Sequence, residues 1–570
     1  MALQAYPDVP LFRYPYTDLS EAQIAAALAG PGRTGPGSKV PLDDSLAGKV
    51  LTFVGDDGTL LKWTFGAGNR VNFDGKDAAY GALNLDRATL IAHLVPGTTR
   101  AYAVAWNRAD NRATVFELWF GGGPAPRARE INREVHFGYM TDAGEPPKER
   151  HRRTLRLEGR GLSWTEDTGH RTIDYYPSVA YTHWVELDRL QEGRGYSAPA
   201  DYIQLTEDLY AFTRVEAEFS GLLHMYLMDI NRLEQVGLRL GFNGADALEY
   251  YMFRGRGEWH GALARFEKFG ETDADPLKVP NGKKGERRVY RPLATMEKLT
   301  PAQVDAIVAS GNVHVFDKPS PMAGNGLSPT GAMAGKTFAI HYDRGPTMEY
   351  RFTGPDKLEW RMNGTGGFRQ ARYNAWESMP GVFIFGHLLE GTKNHDGHIV
   401  VADLERGMAT NYHGYLNTPY FANEAGCETL FGKVVGQGIP DPGGKRHERT
   451  HDMLGRAFTW EYSPGLNSMH LYSTPITTSW VIPAPDGSMG LEWCGTGDFV
   501  KIRDQLYFCR WQEEACNGTL GTLLINMRTM HDSGIGYHCG TRGGLDMSAV
   551  GAPARHAGKI DVDKFFGGKA

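Results

Sequence analysis

Side chains with chemistry to offer recur in this chain at fixed spacing. Residues 151–185, laid without a gap over 447–481, match at His151/His447, Arg153/Arg449, Trp164/Trp460, Tyr176/Tyr472 and Trp184/Trp480. After a loop of different length, Tyr210 falls over Tyr507 and Glu216 over Glu513. Indole and phenol rings stack on flat ligands and present a polar edge. A carboxyl group enclosed by such rings is held toward its neutral form, which lets it give or take a proton near neutral pH. The competing account is structural: rings on strands also fill cores, and a duplicated fold keeps its packing residues.

A second set is histidine-rich: His341, His387, His395, His398 and His413 lie in one stretch. His387, His395 and His398 meet at a metal only if the turn at 393–397 folds them together, and no His-Glu-x-x-His pattern is present. Hydrogen-bonded or solvated histidines, and no metal, are the expectation. Gly121-Gly122-Gly123 is followed by neither Lys-Ser/Thr nor a helix start, so it does not read as a phosphate loop. A net charge of −6 over 570 residues, with both signs interspersed, offers no basic face to nucleic acid or a membrane surface. No apolar run approaches a membrane span, and the first residues lack the basic and apolar parts of a signal peptide. Five cysteines without a C-x-x-C pair read as reduced thiols in a cytoplasmic protein.

The elements that must position these residues are themselves duplicated. Ser20 with Gln23, and Thr300 with Gln303, have the spacing of a helix capping box. Similar segments follow each: Gly48-Lys49 through Asp56 to Phe65, and Gly335-Lys336 through Asp343 to Phe352. The copies therefore span 18–270 and 299–545. Glycine- and proline-rich linkers at 121–126 and 436–444 divide each copy, and a basic segment at 275–291 joins them. The expected units are 46–140, 151–245, 333–430 and 447–542. Short β-branched and aromatic runs such as 60–65 and 382–385, punctuated by glycine turns, predict antiparallel strands. In units of this size they predict small up-and-down barrels, whose closure removes strand edges and leaves a mouth for a ligand. Beyond 18–30, the spacing of Leu263, Phe266 and Phe269 predicts a helix over 258–269.

This pattern resembles the calycin (lipocalin-like) barrels of the MoaF-type proteins over most of the chain, as two tandem copies. Locally it also resembles the phenolic acid decarboxylases. The second resemblance is carried by Ala200-Asp201-Tyr202-Ile203-Gln204-Leu205-Thr206-Glu207-Asp208-Leu209-Tyr210, which looks like the strand pair before that family's catalytic glutamate. It implies a catalytic role for Glu216 and puts the carboxylate-binding arginine at or near Arg194. The family's two first-strand tyrosines fall on Trp164 and Glu166 in the second unit, and on Trp460 and Tyr462 in the fourth. There Glu513 takes the glutamate position and Glu492 the arginine position. In the third unit Tyr342 and Arg372 match, with Glu390 one residue out of register. No unit keeps the full set.

The expected architecture is all-β: four tandem lipocalin-like antiparallel barrels in two duplicated halves, with a few short helices. The resemblance implies acid–base chemistry of lyase or decarboxylase type, without a cofactor, on a small aromatic or phenolic acid. Glu216, Arg194, Glu513 and Tyr462 are the candidate catalytic residues. Trp164, Tyr176, Trp184, Tyr210, Trp460, Tyr472, Trp480, Tyr342 and Arg372 are the candidate substrate-binding residues. The alternative class is a lipocalin-like binder of an aromatic ligand, and the MoaF name adds an accessory role in molybdenum cofactor metabolism. The expected partner is a small molecule rather than nucleic acid or membrane, with a homodimer left open.

Overall fold

The computed structural model describes residues 19–566 apart from 122–127, 130, 142–145, 155, 178–180, 188–192, 217–220, 244, 264–297, 419–420, 483–490, 514–517 and 541–542. The expected linker at 275–291, all of 121–126 but Gly121, and Cys516 lie outside the described residues.

Eight strands between Val50 and Met140 form a closed antiparallel barrel, the first strand pairing with the last through Phe53 and Met140. Alternation gives each strand two faces: in Leu60–Gly66, Trp63 and Phe65 are buried while Lys62 and Thr64 are exposed. Asp74 and Gly75, both at positive φ, join Arg70–Phe73 to Lys76–Leu85. That is the two-residue turn whose twist suits a hairpin. Residues 337–435 repeat the plan, with one strand broken at Tyr373 into Arg369–Arg372 and Asn374–Met379. Their first and last strands pair through Ile340 and Val434.

The second barrel runs from Arg160–Glu166 to Leu248–Leu263, which close on each other through Leu162 and Trp259. In the fourth, Arg456–Ser463 pairs with Ala554–Ile560, which continues the line of Gly544–Val550. The break between them holds Pro553, which has no N–H to give a ladder. Both closing strands lie beyond residues 245 and 542. The helix expected over 258–269 does not form, since Glu258–Leu263 complete the closing strand and 264–269 lie outside the described residues. Ladder partners on both sides, 160–163 and 558–560, satisfy this backbone and override the local apolar spacing. Helices form at Glu21–Ala29 and Pro301–Ala309, each with its capping box. No helix among the described residues is long and apolar enough to cross a membrane. Cys427, Cys494, Cys509 and Cys539 are buried thiols outside any disulfide.

In each half the outer barrel lies against the inner one. Leu90, Ala103 and Phe116 of the first barrel share a core with Ala211, Met225 and Leu238 of the second. Ile384, Val401 and Tyr412 of the third do so with Phe508, Leu524 and Tyr537 of the fourth. The second and fourth barrels then meet, with Ile173, Val185 and Leu263 packed among Leu471, Val481 and Ile560. Their closing strands pair at Gly261 with Ile560 and Leu263 with Gly558. Gly261 stands opposite Gly161 and Gly558 opposite Ala457, the same place in each barrel. The junction is therefore two-fold symmetric, of the kind two identical subunits make.

Candidate functional site

Residues directly opposite on paired strands point to the same face, so the registers define the barrel interiors. In the second barrel Trp164 faces Thr172, Asp174 faces Trp184, Arg214 faces His224, and His224 faces Arg239. In the fourth, Trp460 faces Ser468, His470 faces Trp480, Trp480 faces Trp493, Trp511 faces Gly521, and Gly521 faces Gly536. The same ladder thus reads Arg214, His224, Arg239, Tyr251 in one copy and Trp511, Gly521, Gly536, Ser548 in the other. One interior is ionic and the other is aromatic, with the Trp511 ring lying against Gly521.

The second barrel is internally paired. Arg214 contacts Asp174 and lies over the Trp184 ring, 4.1 Å from its centroid. Burial opposes its charge, but Tyr226 and the carboxylates of Asp174, Glu216 and Glu186 outweigh burial and hold it protonated. Arg239 reaches Glu166 at 3.3 Å and donates to the Tyr251 hydroxyl at 2.6 Å. His224 lies between the Tyr226 hydroxyl at 3.0 Å and Glu216 at 2.7 Å. Trp164 donates to the Tyr176 hydroxyl at 3.3 Å, and Tyr210 to the Glu207 carbonyl. Arg194 begins the strand side of the connection after Glu186, half-buried, at the same end of the barrel as Glu216. A cleft of about 660 Å³ beside the first barrel is lined by Leu85, Glu166, Asp167, Gln235 and Arg254.

The fourth barrel is left unsatisfied. Trp460 Nε1, Trp480 Nε1, His470 Nδ1, the Tyr472 hydroxyl and Asp532 Oδ2 are buried without a hydrogen-bond partner among the described residues. The hydroxyls of Tyr462 and Ser468 lie against each other, and neither has another partner among the described residues. Such groups cost free energy unless something completes them. Burial pushes Asp532 up to about 8 and His470 down to about 3, so both are neutral at pH 7. The Ala552 N–H donates to Asp532 Oδ1 at 2.5 Å, which leaves the carboxyl proton to Oδ2. Trp511 lies 5.2 Å from His470, ring to ring, and donates to Glu513 at 2.9 Å. Glu492 faces out of this barrel and accepts from Ser197 of the second at 3.2 Å, its carboxyl raised well above the usual range by burial.

The outer barrels hold histidines as structural parts. His93 accepts from Trp63 Nε1 at 2.8 Å, so its Nδ1 bears the proton and donates to Leu94 O at 3.2 Å. His387 repeats this with Tyr350 and Leu388. His387, His398 and His413 adjoin in one row, their ring centroids 5.7 and 5.1 Å apart, and His398 also meets Tyr350. His395 contacts Asp305 and His341 is exposed, so His395 does not join His387 and His398. Tyr342 is buried in the third barrel, and Arg372 and Glu390 are exposed. Sequence reasoning named the ring residues and Glu513 but missed Asp174, Arg214, Arg239 and Asp532. The signal was there for the last: Asp532 and Gln235 stand at one position of the repeat, before Gly534 and Gly237.

No curated protein matches the chain. A crystal structure from Burkholderia vietnamiensis, described as a "putative beta-lactamase", aligns at 15% identity over 19% of this chain and 98% of its own, with a TM-score of 0.17. That likeness carries no argument here. The informative match is to a family: residues 321–418, most of the third barrel, are similar to the MoaF N-terminal domain.

Proposed function

We propose that this protein is an acid–base enzyme of lyase type that works on a small oxygen-bearing aromatic compound in the fourth barrel, with Asp532 as proton donor. The observation carrying this reading is the set of buried, partnerless polar atoms on one aromatic inner face. Indole N–H groups only donate, so the ligand brings acceptor oxygens to Trp460 and Trp480, and its ring stacks among the barrel's own. Asp532 gives the proton on Oδ2 to a conjugated carbon while the bond from that carbon to the departing group breaks and supplies the electron pair. CO2 is what leaves in the case of a phenolic acid, and the Asp532 carboxylate then takes a proton from solvent. The pKa of about 8 keeps that proton in place at neutral pH. Burial, and after it the nearby Asp532, keep the Tyr462 phenol protonated beside it. In the second barrel Gln235 stands at the place of Asp532, and Glu216, the counterpart of Glu513, is paired to His224, which makes the fourth barrel the better site.

One observation favours the binding-protein reading. The ladder that bears Arg214 and Arg239 in the second barrel bears Trp511 and Gly536 here, so no guanidinium there clamps a carboxylate. An uncharged phenol or aryl carbonyl fits better than a phenolic acid, and Asp532 can serve it as a plain hydrogen-bond donor. Full-length protein is titrated with phenols, hydroxybenzaldehydes and hydroxycinnamic acids, following tryptophan quenching and product mass. Turnover that Asp532→Asn abolishes while binding persists supports the enzyme. Binding without turnover of any compound supports the binder. Quenching that Trp460→Phe and Trp480→Phe leave unchanged removes the site.

A further inference from the structure

We infer that the mouth of the first barrel is a divalent-metal site formed by Glu117, Glu134 and His136. Glu117 and Glu134 stand directly opposite each other on the neighbouring strands Arg112–Phe120 and Ile131–Met140, and His136 stands opposite Val115 one step on. Glu117 also faces Tyr102, whose ring packs on His93 and Phe73, so these residues belong to the inner face. One ligand atom from each of the three lies within 4.8 Å of the others. Zinc holds imidazole and carboxylate at about 2.0–2.2 Å, so side-chain adjustment alone brings the three onto one ion.

The histidine carries the argument beyond a cluster of acids. His136 is 5% exposed, and its Nε2 has no hydrogen-bond partner among the described residues while aiming at Glu117 Oε2, 3.8 Å away. Its Nδ1 is engaged on the other side, 2.7 Å from Asp57 Oδ2 and 3.1 Å from the Thr59 hydroxyl. A carboxylate that accepts a hydrogen bond from Nδ1–H favours the tautomer with its lone pair on Nε2 and fixes the ring, which is how metal-bound histidines are oriented. Arg100 pairs with the other Glu117 oxygen, Oε1, and Oε2 lies on the histidine's side. Glu134 is half-exposed, so an ion has a way in and room for water in its open positions.

The third barrel shows what the same place looks like without this set. There His413 stands opposite Glu428, as Glu117 stands opposite Glu134. Hydrogen bonds that His413 donates to Asp396 and Glu428 overcome burial and raise it to about 9, so an imidazolium sits where the first barrel has a carboxylate. That charge repels a dication. The set of one nitrogen and two oxygens suits zinc or manganese rather than a thiol-seeking ion.

Chelator-treated full-length protein is titrated with Zn²⁺ by calorimetry and with Co²⁺ by visible absorption. One equivalent is expected to bind, at least tenfold more weakly in His136→Gln and in Glu134→Gln, and unchanged in the third-barrel control Glu428→Gln. Glu134 is half-exposed, so its variant tests the site even where His136→Gln fails to fold. Absence of uptake by the parent protein, or uptake that Glu134→Gln leaves unaltered, overturns the assignment.

Discussion

His151 Nδ1 lies 2.9 Å from the Thr114 hydroxyl, a buried contact that ties the second barrel to the first. His447 and Thr410 repeat it at the same distance between the fourth and the third. Burial lowers His151 from 6.5 to about 3 and His447 to about 4, so both are neutral in the folded protein. The unfolded chain takes up protons near the ordinary value, which the folded one accepts only at the lowered value. Stability is therefore intact above pH 6.5 and drains as pH falls toward 3–4. Denaturant midpoints at pH 7, 5.5 and 4.5 should drop stepwise. Thr114→Val, which strands a buried imidazole nitrogen, should cost about 1–3 kcal/mol at pH 7.

The Arg214–Asp174 pair is fully enclosed in the second barrel. Arg214→Met leaves a buried carboxylate without its cation and should cost about 3–5 kcal/mol in urea unfolding. Adding Asp174→Leu should restore most of that loss, because an apolar pair needs no solvation. A double variant as unstable as the single one would show that the pair contributes more than mutual neutralisation.

Asp532 has the opposite pH signature. Its pKa rises from 3.8 unfolded to about 8 folded, so the contribution is complete below pH 3.8 and is lost as pH climbs through 8. Asp532→Asn stays neutral at every pH. It should unfold like the parent at pH 4 and be more stable by a few kcal/mol at pH 8, with about 1.4 kcal/mol per unit in between. Thermal melts across that range read the difference directly.

At the junction of the inner barrels, Gly261 and Gly558 adopt φ of +132° and +118°, and a Cβ on either would lie 2.8 Å from the backbone oxygen of Lys559 or Ala262. Gly261→Val and Gly558→Val should each cost at least about 2 kcal/mol. They should also split calorimetric unfolding into two transitions, one for each half, where a single coupled transition is expected of the parent.

The duplication, the all-β barrels and the two capped helices were legible because they rest on local chemistry and on residues repeated in register. The strand at 258–263 was not, since its partners, 160–163 on one side and 558–560 on the other, are distant in sequence and leave no local trace. The ionic interior of the second barrel was hidden for a different reason. Alternation looks the same whether Arg214 and Arg239 face solvent or each other's counter-ions, and only closure of the sheet decides. Trp460, Tyr472 and Trp480 were found as rings, but their partnerless polar edges and the neutral carboxyl of Asp532 are properties of enclosure.

The symmetric seam at Gly261 and Gly558 has a genetic consequence. Two separate polypeptides meeting along such an edge would carry identical compartments, and any codon change would strike both at once. A single gene encoding both copies lifts that constraint. One chamber can keep a charged, internally paired lining while its sibling drifts to an aromatic one.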